Sequence, residues 1–115
     1  MAKILIIEDE KLIRELLQEF FNSVRKGETI EAEKAMEGVS LAIREKPDII
    51  FCDIGLPDIS GFETIRQLRN NNSFKDTRII AMSAEHDNKN KALEAGADAF
   101  LRKPFAISDI ERALE

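Results

Sequence analysis

Two periodicities alternate along the chain. Short unbroken apolar runs stand at Ile4–Ile7, Ile49–Cys52, Ile79–Met82 and Ala99–Leu101, with a weaker one around Thr29–Ala32. Runs this short predict strands buried on both faces, as in a parallel sheet. Between them, apolar residues recur every three or four positions, the spacing of a one-sided helix. Leu12, Ile13, Leu16, Leu17, Phe20, Phe21 and Val24 make the first such stripe. Val39, Ala42 and Ile43 make the second, and Phe62, Ile65 and Leu68 the third. Ala92, Leu93 and Gly96 form a smaller fourth, and Ile107, Ile110 and Leu114 the last.

The pattern is five strands, each followed by a helix, which predicts an α/β domain of (βα)5 type with a doubly wound parallel sheet. Parallel strands joined by right-handed crossovers place helices on both faces. Nothing in the chain reads as a repeat or a linker, so residues 1–115 are expected to form one domain. Ser60 followed by Glu63, and Ser108 followed by Glu111, have capping-box spacing. Pro47 punctuates the end of the second helix.

Composition narrows the classes. The formal charge is 17 − 22 = −5, which argues against direct contact with nucleic acid, whose phosphates demand a basic surface. One cysteine and one histidine leave no internal disulfide and no Cys/His zinc set. No apolar run approaches the roughly 20 residues of a membrane span, and the start, "MAKILIIEDE", turns acidic too early for a signal peptide. Membrane insertion is not expected, and the cytoplasm is the expected location.

Open parallel sheets bind ligands beyond the carboxyl ends of their strands. The polar residues at those ends are Glu8 and Asp9 after strand one, Asp53 after strand three, Ser83 after strand four and Lys103 after strand five. Hard oxygen donors without neutral nitrogens favour Mg2+ over zinc, and Mg2+ bridges readily to phosphate oxygens. Lys103 is a point charge suited to a phosphoryl oxygen, and Ser83 can donate one hydrogen bond to it. An aspartate can accept a phosphoryl group as an acyl phosphate. The set therefore suits phosphoryl transfer to a carboxylate, driven by positioning and charge neutralisation.

At this point the chain resembles a known family. "ILIIEDE" (4–10), "KPDIIFCDIGLPDISGFE" (46–63), "RIIAMSA" (78–84) and "GADAFLRKPF" (96–105) are similar, in order and separation, to the receiver domain of two-component response regulators. The resemblance implies a flavodoxin-like sheet of order 2-1-3-4-5. It implies Asp53 as phospho-acceptor from the phosphohistidine of a sensor histidine kinase or phosphotransfer protein. Glu8, Asp9 and Asp53 would hold Mg2+ together with the Gly55 backbone carbonyl. Ser83 and Phe100 would form the switch and Lys103 would bind the phosphoryl group, with a cis Lys103–Pro104 bond. A downstream output protein or domain would dock on the face made by helix four, strand five and helix five. Such a protein is a signalling switch that catalyses only its own phosphorylation and dephosphorylation, as a monomer or a phosphorylation-dependent dimer. Two other readings stand beside it. One is the N-terminal receiver of a longer regulator with a DNA-binding or enzymatic output. The other is an aspartate-nucleophile phosphatase, although no Asp-x-Asp motif follows Ile7.

The chain departs from the family pattern in places. Lys34-Ala35 stands where Asn-Gly or Asp-Gly is usual, and Gly38 falls inside the second stripe; both weaken the expected start of helix two. Gly55 lacks the side chain often found there and leaves the acceptor more open. Asp58, after Pro57, is expected to serve its own turn. Cys52 is expected as an apolar core residue, His86 as a solvated surface residue, and Lys89, Asn90 and Lys91 as an exposed helix face.

Overall fold

A computed structural model describes residues 1–115. Five strands, β1 (Ala2–Ile7), β2 (Gly27–Ala32), β3 (Ile49–Asp53), β4 (Arg78–Ser83) and β5 (Ala99–Arg102), form one sheet of order β2-β1-β3-β4-β5. All neighbouring pairs are parallel. The helices are α1 (Lys11–Glu19), α2 (Ala35–Glu45), α3 (Gly61–Asn70), α4 (Lys89–Ala95) and α5 (Ile107–Ala113). The fold class and strand order are those expected. No helix is long and apolar enough to cross a membrane.

Successive strand residues point to opposite faces, and the core divides accordingly. Leu5, Ile7, Ile50, Cys52, Ile79 and Ala81 pack under α2, α3 and α4 with Ala42, Ile65, Leu68 and Ala92. Ile4, Ile6, Phe51, Ile80 and Met82 face α1 and α5, against Leu17, Phe20, Phe21 and Ile110. Central strands β1, β3 and β4 are buried nearly throughout, whereas edge strand β2 is mostly half-exposed, which explains its weaker apolar run.

The helical stripes prove wider than the lines of contact. Leu12, Val24, Ile43, Leu93 and Ile107 are exposed, although periodicity grouped them with core residues. Beyond α1 the chain closes one wide turn, with Arg25 N–H donating to Phe20 O at 3.0 Å. The adjacent Phe20 and Phe21 rings are both buried there and meet edge-on, 5.0 Å apart.

Neither capping box forms. Ser60 precedes α3 without a side-chain cap; Glu63 instead pairs with Arg66 at 3.2 Å. Ser108 lies inside α5, whose start is held by Asp109 Oδ2 accepting from Ala106 N–H at 2.8 Å. The end of α2 is as expected: Lys46 takes the left-handed conformation (φ 48°) just before Pro47.

The expected weakness of helix two is also corrected. Lys34 offers no acceptor, but Asp58 reaches α2 from the β3–α3 loop. Its Oδ1 and Oδ2 accept the Ala35 and Met36 N–H groups, both at 3.1 Å. A carboxylate on the free donors of a first turn satisfies them and complements the helix dipole. Asp58 therefore caps a distant helix as well as serving its own turn, where its carboxyl also meets the Asp58 and Ile59 backbone. The Met36 amide above all holds its carboxyl below the ordinary range. Gly38 has a packing reason: a Cβ there would lie 2.5 Å from Ile7 Cδ1, so glycine lets α2 sit close on β1.

Candidate functional site

Backbone bonds tie the carboxyl end of β1 to β2, that of β3 to β4 and that of β5 to β4. Glu8 N–H donates to Ala32 O at 2.9 Å, Ile54 N–H to Met82 O at 2.9 Å, and Lys103 N–H to Ser83 O at 2.8 Å. The side chains of Glu8, Asp53, Ser83 and Lys103 thus meet at one edge, astride the point between β1 and β3 where strand order reverses. A cleft of about 300 Å³ opens there, lined by Asp9, Glu10, Asp53, Gly55, Ser83 and Lys103, with Asn88 on its far wall.

Lys103 is the hub. Its Nζ lies 2.6 Å from Glu8 Oε1, 3.4 Å from Asp53 Oδ2 and 3.4 Å from Glu10 Oε1. Burial pulls the ammonium toward neutrality, but its bond to Glu8 and the charges of Asp53, Glu8 and Glu10 outweigh that, and its pKa stands above the ordinary value. Glu8 is fully buried behind the cleft wall. Burial is the largest influence on it, opposed by Lys103 and by the Glu10 N–H, and its carboxyl is pushed up to about 7. Oε1 faces the ammonium without an aligned hydrogen bond.

Asp53 is 5% exposed, and its Oδ1 accepts the Gly55 N–H at 3.1 Å. A Cβ on Gly55 would meet nothing but Asp53 Oδ1, at 3.7 Å, so that side of Asp53 is open as expected. Ser83 Oγ accepts from the Glu85 N–H and from Asn88 Nδ2, each at 3.0 Å. Cys52 is buried, and burial above all pushes its thiol up to about 12, which leaves it an inert core residue. The Lys103–Pro104 bond is cis.

Glu8, Asp9 and Glu10 each place a carboxylate oxygen within 4.8 Å of the other two. Oxygen donors alone, two of them exposed and one buried oxygen without an aligned partner, fit a hard divalent cation such as Mg2+. Sequence reasoning missed Glu10, although it adjoins the acid pair. It also missed Arg14, whose Nη1 donates to the Glu8 and Asp9 carbonyls at 3.1 and 3.0 Å and so braces the acidic loop. No local signal marked Asn88.

Phe100 stands apart from the cleft. It is half-buried, packed against the α2–α4 side of the core, and lines a groove of about 620 Å³ with His86, Lys89, Arg102 and Arg112. His86 is exposed in a short turn before α4, and Lys89, Asn90 and Lys91 are exposed on it.

Residues 4–115 match the family model described as the response regulator receiver domain. This chain belongs to the response-regulator receiver family. The receiver is 39% identical over 119 residues to the KDP operon transcriptional regulatory protein KdpE of Escherichia coli strain K12, covering 99% of this chain and 50% of that protein. It spans about half the length of the curated relatives it matches. Among solved structures, the Vibrio cholerae chemotaxis protein CheY4 superposes with a TM-score of 0.90 at 27% identity, over 99% of this chain and 96% of that one. The receiver domain of a Pseudomonas aeruginosa sensor histidine kinase, crystallised with a magnesium ion in its active-site cleft, superposes with a TM-score of 0.86 at 25% identity, over 98% and 93%.

Proposed function

We propose that this receiver domain is a phospho-acceptor and that Asp53 is the acceptor. The observation that carries the reading is the placement of Asp53 Oδ2 3.4 Å from Lys103 Nζ, at the floor of an acidic cleft. A carboxylate oxygen of Asp53 attacks the phosphorus of a phosphohistidine. The P–N bond breaks, and the imidazole, already protonated on its other ring nitrogen, leaves as the neutral ring with the bond's electron pair. Mg2+, when bound by Asp9, Asp53, the Gly55 carbonyl and Glu8, supplies charge neutralisation for the phosphoryl oxygens.

Lys103 holds the carboxylates before transfer and pairs with a phosphoryl oxygen after it. Phosphorylation adds about −1.5 to −2 charges and three acceptor oxygens. Ser83 then exchanges its bonds with Glu85 and Asn88 for one donated to the phosphoryl group. That exchange frees the segment leading into α4 and biases Phe100, so the α4–β5–α5 face gains or loses a partner. The phosphodonor is a sensor histidine kinase or phosphotransfer protein in the cytoplasm. The chemistry is confined to the chain's own phosphorylation and dephosphorylation, in a monomer or a dimer formed on phosphorylation. The regulators of double length favour a second reading of context: a receiver that serves a DNA-binding or other output domain.

Intact mass after incubation with acetyl phosphate tests the acceptor. One phosphoryl group is expected, dependent on Mg2+ and absent in Asp53→Asn. Labelling that persists in Asp53→Asn would falsify the assignment. Steady hydrolysis of a generic phosphate ester would instead favour a phosphatase.

A further inference from the structure

Asp58 does more than cap a helix. The loop between β3 and α3, residues 54–60, carries the Gly55 N–H, which donates to Asp53 Oδ1 at 3.1 Å, and the Gly55 carbonyl of the proposed metal set. The loop is held at its two ends and at one interior point. Ile54 N–H donates to Met82 O at 2.9 Å, and Gly61 N–H closes back on Ile54 O at 3.2 Å. Leu56 is buried. Between Leu56 and the helix, Pro57 and Asp58 are exposed. The polar anchor of that stretch is the pair of bonds from Asp58 to the Ala35 and Met36 N–H groups. Both oxygens of one carboxylate are engaged, on two rigid consecutive donors, which fixes the loop in direction as well as distance.

We infer that Asp58 is a positioning residue for the acceptor site, using the N-terminus of α2 as the rigid point from which the Gly55 loop is held over Asp53. The inference rests on the phospho-acceptor reading of Asp53. It explains together why Lys34 stands where a helix cap is expected and why a carboxylate stands mid-loop. The cap has moved from the helix to the loop, and one interaction now serves both.

Cap and tether separate experimentally. Lys34 has extended backbone (φ −128°, ψ 151°), the conformation an N-cap serine adopts. In Asp58→Ala the helix loses its cap and the loop its tether. Adding Lys34→Ser restores a cap from within α2's own segment but no tether, and it returns the formal charge to −5 (−5 + 1 − 1). Thermal unfolding and Mg2+ affinity by calorimetry are measured on wild type, Lys34→Ser, Asp58→Ala and the double variant. The expected result is that the double variant regains the stability lost in Asp58→Ala while its Mg2+ affinity stays about tenfold weaker than wild type, the lower end of effects from losing a ligand's supporting partner. In metal-free protein the Gly55 amide resonance is expected to shift in the double variant and to stay in place in Lys34→Ser. Recovery of wild-type Mg2+ affinity and Gly55 resonance in the double variant overturns the inference and leaves Asp58 a helix cap. Wild type that binds no Mg2+ overturns the acceptor reading itself, and this inference with it.

Discussion

The ammonium of Lys103 lies 2.6 Å from Glu8 Oε1, and Glu8 is wholly buried. The same ammonium reaches Asp53 Oδ2 at 3.4 Å. One cation from the end of β5 thus holds two carboxylates from the ends of β1 and β3, which would otherwise repel each other.

Removing that cation strands the carboxylates. Lys103→Met is expected to lower stability by about 2–4 kcal/mol at pH 8, where Glu8 must either stay ionised without a partner or take up a proton. At pH 5 Glu8 is protonated, because its carboxyl titrates near 7, and the loss is expected to shrink. Urea unfolding at the two pH values checks this. An equal loss at both would mean that Lys103 contributes packing and not charge.

Glu8 itself makes stability fall with pH. Its carboxyl is raised from 4.5 to about 7, so the folded state holds the proton more tightly than the unfolded chain does. That contribution is complete below pH 4.5 and is lost as pH rises through about 7. Glu8→Gln cannot titrate. In EDTA, wild type is expected to lose stability relative to Glu8→Gln across this window, by on the order of 1–3 kcal/mol. Adding Mg2+ to wild type is expected to oppose the trend, since cation binding needs the ionised carboxylate. A difference that stays flat with pH would contradict a raised Glu8.

Two glycines should respond differently to alanine. At Gly38 the added Cβ meets the flexible end of Ile7, with Cδ1 at 2.5 Å. At Gly61 it meets Ile54 Cα at 2.3 Å, which is backbone and cannot step aside. Helix propensity favours alanine by up to about 1 kcal/mol at an interior position, and overpacking costs about 1–3 kcal/mol. Gly38→Ala is therefore expected to lose roughly 1 kcal/mol. Gly61→Ala is expected to lose more and also to slow acetyl phosphate labelling, because it pushes on the residue after Asp53. Gly61→Ala that folds and labels like wild type would refute the contact.

Much of the fold was legible because a strand or helix is recorded in local spacing. The apolar runs located all five strands within about two residues, and the weakest run proved to be edge strand β2. The same spacing could not say how wide a strip each helix buries. Leu12 belongs to the α1 stripe by position yet is 79% exposed, because the line that meets the sheet runs through Ile13, Leu16, Leu17, Phe20 and Phe21. Cap signals failed for a related reason. Ser60 has the right neighbour, yet α3 starts without a side-chain cap, and Ser108 falls inside α5, where Asp109 takes the Ala106 N–H.

By itself the sequence determined the order of strands and helices and the kinds of side chain standing at each strand end. These follow from covalent spacing, since a strand's last residue must lie at its edge of the sheet. The tertiary structure alone decided how those side chains divide their roles. Glu8 is buried and Asp9 exposed, though they are neighbours in the chain. Glu10 shares Lys103 from 93 residues away, and Asp58 caps a helix that begins 23 residues earlier. Such pairings depend on the distances left when the sheet closes and its loops pack. No periodicity within a segment encodes them.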